Sequence, residues 1–334
     1  MPRAARRGPV LLAVVGVALL GIAACPSGTR SVEGERDPGR TYYVNDRSGA
    51  DDGSGTRHSP WRSLERASQA DLGPGDSLLL ARGGSWSGDL RIDGSGSATQ
   101  PLRVSGYGRG ANPVLTEGCL EVGGSDVVVE RLTLRGCDFA GVAVAGDRVV
   151  VREVRSIRNV AGVYVKESSH GAAIVRNRLL RNNRMSVLTE GGGDDSGAFG
   201  VLLRGESAKV ARNVIKGSHA FSYDYGRDGS AIEVYGGRGN RIVRNRAIDN
   251  HAFSELGGDG ARNNFYAANV VSSRLPEARF VVTRGAEDRF GPVLATTLLH
   301  NTAALSGRGA EGLVCFAGCG PQVLAMRNNI IAAR

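Results

Sequence analysis

Short runs in which apolar and polar residues alternate cover most of the chain, each bounded by glycine or a polar cluster, and this period of two is the pattern of strands. Two sets of runs recur. The first is a phrase seen as IVRNRLL (174–180), VARNVIK (210–216), IVRNRAI (242–248), YAANVVS (266–272), LLHNTAA (298–304) and AMRNNII (325–331). Its shared asparagines are Asn177, Asn213, Asn245, Asn269, Asn301 and Asn328. Two degenerate copies, VERLTL (129–134) and VREVRS (151–156), place Arg131 and Glu153 at the asparagine position. The second set is GVAVAG (141–146), GVYVKE (162–167), GVLLRG (200–205), AIEVYG (231–236), RFVVTRG (279–285) and GLVCFAG (312–318).

Successive phrases lie 22, 24, 36, 32, 24, 32 and 27 residues apart, so a fixed coil of about 22 residues carries loops inserted at one or two corners. Two or three short strands per coil, repeated at that period, predict an all-β, parallel β-helix in which each coil is one layer and like positions stack. Asparagine tolerates the left-handed conformation of a tight corner, and stacked amides hydrogen-bond along the axis as a ladder. The positions two after each asparagine, Leu179, Ile215, Ala247, Val271, Ala303 and Ile330, are apolar and form the expected inward column. Arg176, Arg212, Arg244 and Arg327, each just before an asparagine, form an outward basic column that reads as a solvated face.

These repeats, with the opening TYYVNDRSGADDGSGTRHSPWRSLERA and LGPGDSLLLARGGSW (within 41–86), resemble the right-handed parallel β-helix proteins of the pectate-lyase-like superfamily over residues 41–334. The resemblance implies a short strand and a helix closing the first coil. Ser59-Pro60 is expected to begin that helix, with Trp61, Leu64 and Ala67 on one face. The expected organisation is residues 1–24 as a signal peptide, 25–40 as a tether, 41–117 as cap and opening coils, and 118–334 as repeats of the same domain. The carboxyl end, Ile330 to Arg334, has no capping helix, so either the chain is truncated or a partner covers that edge.

Three arginines (Arg3, Arg6, Arg7) precede the uncharged run 10–24, which is too short to span a bilayer and reads as a signal-peptide core. The run ends in Ile22-Ala23-Ala24-Cys25, which resembles a bacterial lipobox, so export and lipid anchoring at Cys25 are expected. The remaining cysteines are four in number. In an exported chain without a CxxC pair they read as the disulfides Cys119–Cys137 and Cys315–Cys319.

Glycine (49 of 334 residues) and a 5% aromatic content exclude helical bundles and favour thin layers of Val, Ile, Leu and Ala. The net charge of +9 is carried almost wholly by arginine, the lysines being Lys166, Lys209 and Lys216. No basic run interleaves with aromatics, so nucleic acid is not an expected partner.

Parity along the second strand set sends Lys166, Arg204 and Glu233 outward on neighbouring rungs, a candidate catalytic face for a polysaccharide substrate. Long insertions beside it, 185–199 and 218–230, supply Asp195, Asp224 and Asp228 as hard-oxygen ligands for Ca²⁺, and His219, Tyr223 and Tyr225, with Tyr235 on the strand, as sugar contacts. The first reading is a lyase acting on a uronate-containing glycan by β-elimination, with Lys166 as base and Arg204 stabilising the enolate; the resemblance adds that lysine or arginine bases with Ca²⁺ occur in such lyases. A glycoside hydrolase would instead pair Asp228 or Asp224 with Glu233 or Glu255. A noncatalytic glycan-binding surface lipoprotein is the third alternative.

Overall fold

A computed structural model describes residues 39–334, and the expected signal peptide, Cys25 and most of the tether lie outside the described residues. The chain winds as a right-handed parallel β-helix with three strand columns. The first column is an eleven-stranded parallel sheet running from Thr41–Val44 to Leu324–Arg327. The second and third columns are counted together in a seventeen-stranded sheet, because the long strands Ser85–Ile92 and Val114–Val122 run through the corner between them. Cys119, which has a positive φ in that bend, is bonded to Cys137. Cys315 and Cys319 form the second disulfide.

Inside the coils the Val, Ile, Leu and Ala side chains stack into one continuous core. The predicted column Leu179, Ile215, Ala247, Val271 and Ala303 is buried in it. The asparagines form the expected ladder, but their register differs at both ends. Each internal amide, such as Asn213, donates through Nδ2 to Ile174 O (2.8 Å) and to Asn245 Oδ1 (3.0 Å), while its own Oδ1 accepts from Asn177. The last member is Asn329, not Asn328. Ile331 therefore takes the inward place, and Ile330 is 69% exposed.

The left-handed residue is the one before each ladder asparagine: Arg176, Arg212, Arg244, Ala268, His300 and Asn328 all have φ between 52° and 57°. Arg131 and Glu153 have the same φ, so they occupy this position rather than the asparagine's. Leu132 and Val154 stand where the amide would be, both buried, and Val154 N caps the ladder on Asn177 Oδ1 (3.0 Å). Arg327, paired with Leu299, falls outside the expected basic column.

The helix is shorter than expected, Leu64–Ser68, with Ser63 as its N-cap accepting from Arg66 N. Thr56 and Ser59 form an isolated bridge before it. Trp61, Leu64 and Ala67 are nevertheless all buried, because the extended approach turns Trp61 into the same core that the helix covers.

Candidate functional site

The outer face of the third column carries the site. Its register places Tyr164, Leu202, Glu233, Glu255 and Val282 in one transverse row, with the next row two residues further along each strand. Glu233, on Ser230–Tyr235, and Glu255, on Ala252–Gly257, are thus direct neighbours on strands about 4.8 Å apart. Two like charges at that spacing on half-buried side chains disfavour full ionisation.

Three features set the protonation pattern. Glu233 accepts from Ser230 Oγ (2.9 Å), yet desolvation and then the charges of Glu255 and Asp228 push it well above the usual carboxylate range. Asp228, at the end of the hairpin strand Gly226–Asp228, is pushed up to about 7 by burial and then by Glu255. Glu255 is held by the guanidinium of Arg284 through Nη2. Arg284 is 8% exposed; it also donates from Nη1 to Leu256 O (2.7 Å) and lies 3.3 Å from Asp288. Burial alone would lower the Arg284 pKa, but Glu255, Glu233 and Asp288 raise it.

The site therefore combines two carboxyls with raised pKa values, Asp228 at about 7 and Glu233 well above the usual carboxylate range, with a third, Glu255, bound to a guanidinium. His251 is buried and pushed down to about 4 by desolvation and by Arg279 and Arg227, so its imidazole is neutral.

Lys166 and Arg204 do not join this cluster. They lie past their strands' ends in the row of Tyr235, and other acids take both charges. Lys166 Nζ bonds Glu121, two rungs back, and Arg204 bonds Glu167 while its guanidinium sits 5.4 Å from the Tyr235 ring centre.

The expected metal set also divides. Asp195 and Asp224 meet each other and Asp194, with one carboxylate oxygen of each within 4.8 Å of the others, whereas Asp228 is not in that group. Asp195 is 5% exposed and accepts from Ser222 Oγ, Tyr223 N, Asp224 N and Thr189 N; Asp224 accepts from the N–H groups of Asp194 and Asp195. These bonds outweigh the desolvation of Asp195 and hold its carboxyl below the usual range. Asp195 and the Oδ2 of Asp224 accept backbone N–H groups and Asp194 accepts from the Thr189 hydroxyl, so these bonds make the group a clasp between two loops.

Around the acids stand exposed rings. Tyr223 and Tyr225 project from the antiparallel hairpin Ala220–Ser222/Gly226–Asp228, Phe221 beside them is 59% exposed, and Tyr235 meets Phe290 edge-on at 6.3 Å. His219 lies at the hairpin base, its Nδ1 3.2 Å from Arg227 Nη1. Sequence reasoning missed Arg284, although the parity that sends Glu233 outward does the same for Val282 and Arg284.

No family model matches the chain. A lacto-N-biosidase of Bifidobacterium longum subsp. longum is 43% identical over 68 residues, which are 19% of this chain and 4% of that protein. The chain thus spans a small part of that relative's length. Among solved structures, the GH136 lacto-N-biosidase from Eubacterium ramulus superposes with a TM-score of 0.51 at 14% identity, covering 88% of this chain and 68% of that one. Pectate lyase Pel9A gives 0.52 at 12% identity (87% and 78% covered). The DFA-IIIase from Arthrobacter chlorophenolicus A6 in complex with DFA-III gives 0.52 at 12% (87% and 84%). At these identities the likeness shows the fold.

Proposed function

We propose that the protein is a carbohydrate-active enzyme, a glycoside hydrolase that cleaves its substrate over the Asp228, Glu233 and Glu255 cluster. The observation that carries this reading is the asymmetry of the cluster: Glu233 and Glu255 are register neighbours, Arg284 binds Glu255 alone, and burial raises the pKa of Asp228 to about 7 and that of Glu233 above the usual carboxylate range. Glycosidic cleavage needs that division, one carboxyl to protonate the leaving oxygen and one carboxylate to attack the anomeric carbon or activate water. Asp228 or Glu233 is the acid and Glu255 the base or nucleophile. Tyr223, Tyr225 and Tyr235 offer ring faces to the sugars on either side. The local identity to a lacto-N-biosidase lies on the same side.

Elimination draws less from this arrangement, since Lys166, the base it would use, is bound to Glu121. The test is a panel of neutral and acidic oligosaccharides assayed in parallel for new reducing ends and for the ultraviolet absorbance of unsaturated ends. Reducing ends without absorbance, lost in Glu255→Gln and Glu233→Gln, are expected. Unsaturated products that vanish in Lys166→Ala would overturn the reading in favour of a lyase. The proposal includes export and anchoring at the cell envelope through lipidated Cys25, which intact-mass analysis of the membrane fraction checks by the acylated terminus it finds or does not find.

A further inference from the structure

A second concave site lies at the foot of the hairpin, on the corner between the second and third strand columns. It encloses about 450 Å³ and is lined by Arg181, Lys216, Gly217, His219, Asp249 and Arg274, with Leu275 as an apolar wall. Its origin is visible in the register. Arg158, Arg181, Gly217 and Asp249 occupy equivalent positions on four successive coils, all with positive φ, and their N–H groups bond to the next coil in the same way. Two arginines are followed at this corner by glycine and then by a short aspartate, and the loss of side-chain volume after Arg181 leaves room for the pocket.

The charges around the gap are unbalanced. Asp249 is engaged by Arg274, accepting from its backbone N–H (3.2 Å) with the guanidinium 3.8 Å away. Arg181 and Lys216 have no carboxylate partner among the described residues, and each is exposed at the rim. Two free cations, one guanidinium and one ammonium, thus face a cavity with an apolar wall and an imidazole at its far side. Burial and the neighbouring Arg227 push His219 down, which leaves it a neutral hydrogen-bonding group.

We infer that this pocket binds an anionic sugar residue, one bearing a carboxylate or a sulfate ester, with the anion between Arg181 and Lys216 and the ring against Leu275. The two cations match a compact anion, and the apolar wall matches the C–H face of a pyranose. His219 leads directly into the hairpin that carries Asp228, so a chain seated here continues toward the acids. The inference rests on the proposed glycan substrate for the nature of its ligand, and it names that substrate as acidic.

Binding is measured apart from cleavage, by calorimetry on the full chain and on Glu255→Gln, with trigalacturonate, a sulfated trisaccharide and a neutral trisaccharide as probes. Both proteins should bind a charged probe at least tenfold more tightly than the neutral one, and which charged probe wins identifies carboxylate or sulfate as the anion. Lys216→Gln with Arg181→Gln should erase that preference. Gly217→Asn, which adds a side chain beside the Arg181 stem, should weaken binding of all charged probes, with a modest fall in melting temperature from the left-handed backbone. Equal binding of charged and neutral probes, or wild-type affinity in both variants, overturns the inference. Cleavage of a neutral glycan with no charge preference would do so while sparing the hydrolase reading. Charged-probe binding without cleavage of any glycan would sink the hydrolase reading and leave the pocket standing.

Discussion

The corner between the first and second strand columns and the corner between the second and third make an instructive pair. At the first, every coil from residue 130 onward crosses in two residues, as from Ala173–Val175 to Arg178–Leu180 or from Arg241–Val243 to Arg246–Ile248. A left-handed residue followed by a ladder asparagine fills that gap from Asn177 to Asn329. At the second corner the crossing ranges from three residues, Ile157 to Ala161, to the long excursions that carry the hairpins before Phe199–Leu203 and Ser230–Tyr235. A polar stack exists there too, but it mixes Asn159, Asn182 and Asn250 with Ser218 and Ser273. The uniform corner fixes the pitch of the solenoid; the irregular one carries Asp228, the exposed rings and the basic pocket. A rigid scaffold tolerates insertion at one edge because another edge holds the register.

Removing the chemistry that the irregular corner builds should have the largest effect. Glu255→Gln and Glu233→Gln should each lower glycan cleavage by roughly 10² to 10⁴, the usual worth of a positioned acid or base, with little change in the circular dichroism spectrum. Since Asp228 is pushed up to about 7, wild-type activity should fall as pH rises through that value. A flat rate between pH 6 and 8 would remove Asp228 from the role of acid.

The uniform corner should respond in stability instead. Asn245→Leu removes the bonds to Val210 O and Asn269 Oδ1 and strips both Asn213 donors of their acceptor. Leaving several buried amide groups unpaired costs roughly 3 to 5 kcal/mol, read as a fall in denaturation midpoint. A loss below about 1 kcal/mol would mean that the strand hydrogen bonds alone set the pitch.

Much of the ladder was legible in the sequence, and its errors are physical ones. The phrase marks a buried amide correctly wherever one asparagine stands alone. In Asn328-Asn329 two adjacent amides offer two registers, and only burial of the residue two further on decides. Arg131 and Glu153 align one residue away from the asparagines because a left-handed arginine or glutamate is uncommon, and the sequence alone points to the asparagine as the left-handed residue. Parity alone sends Glu233 outward. Its pairing with Glu255 and Arg284 depends on which coils stack, and hence on loop lengths that periodicity does not resolve. Of the expected calcium ligands, Asp195 and Asp224 come together with Asp194 and Asp228 does not, because loop contacts that periodicity does not resolve decide which aspartates meet; Asp195 also accepts backbone N–H groups.

The acids should also weigh on stability, with a definite sign. Asp228 has a folded pKa of about 7 against an ordinary aspartate value of 3.8, so between about pH 4 and 7 the folded state binds more protons than the unfolded one, and stability falls as pH rises. The Asp228→Asn variant should therefore melt higher than wild type at pH 8, by a few degrees, with the gain shrinking toward pH 4. A variant equally stabilised or destabilised at both pH values would show that Asp228 ionises without penalty.

The smallest effect expected lies where the two corners differ by a single side chain. In the second-corner stack Asn182 donates to Ser156 O and Asn250 donates to Ile215 O (3.1 Å). Ser156, Leu179 and Ile215 are aligned on successive strands, so Leu179 O is the carbonyl that an amide at position 218 would take. Ser218 instead leaves its buried Oγ without a partner. Ser218→Asn should complete the stack and raise stability by about 0.5 to 1.5 kcal/mol, a shift of a few degrees in the melting temperature. If the side chain fits but stiffens the base of the hairpin that carries Asp228, cleavage should slow as stability rises, and the serine is then a concession to function at this corner. Destabilisation by about 1 to 3 kcal/mol with cleavage unchanged would point the other way: the serine is there for lack of room, and the irregularity of the second corner is a matter of volume rather than of the site it supports.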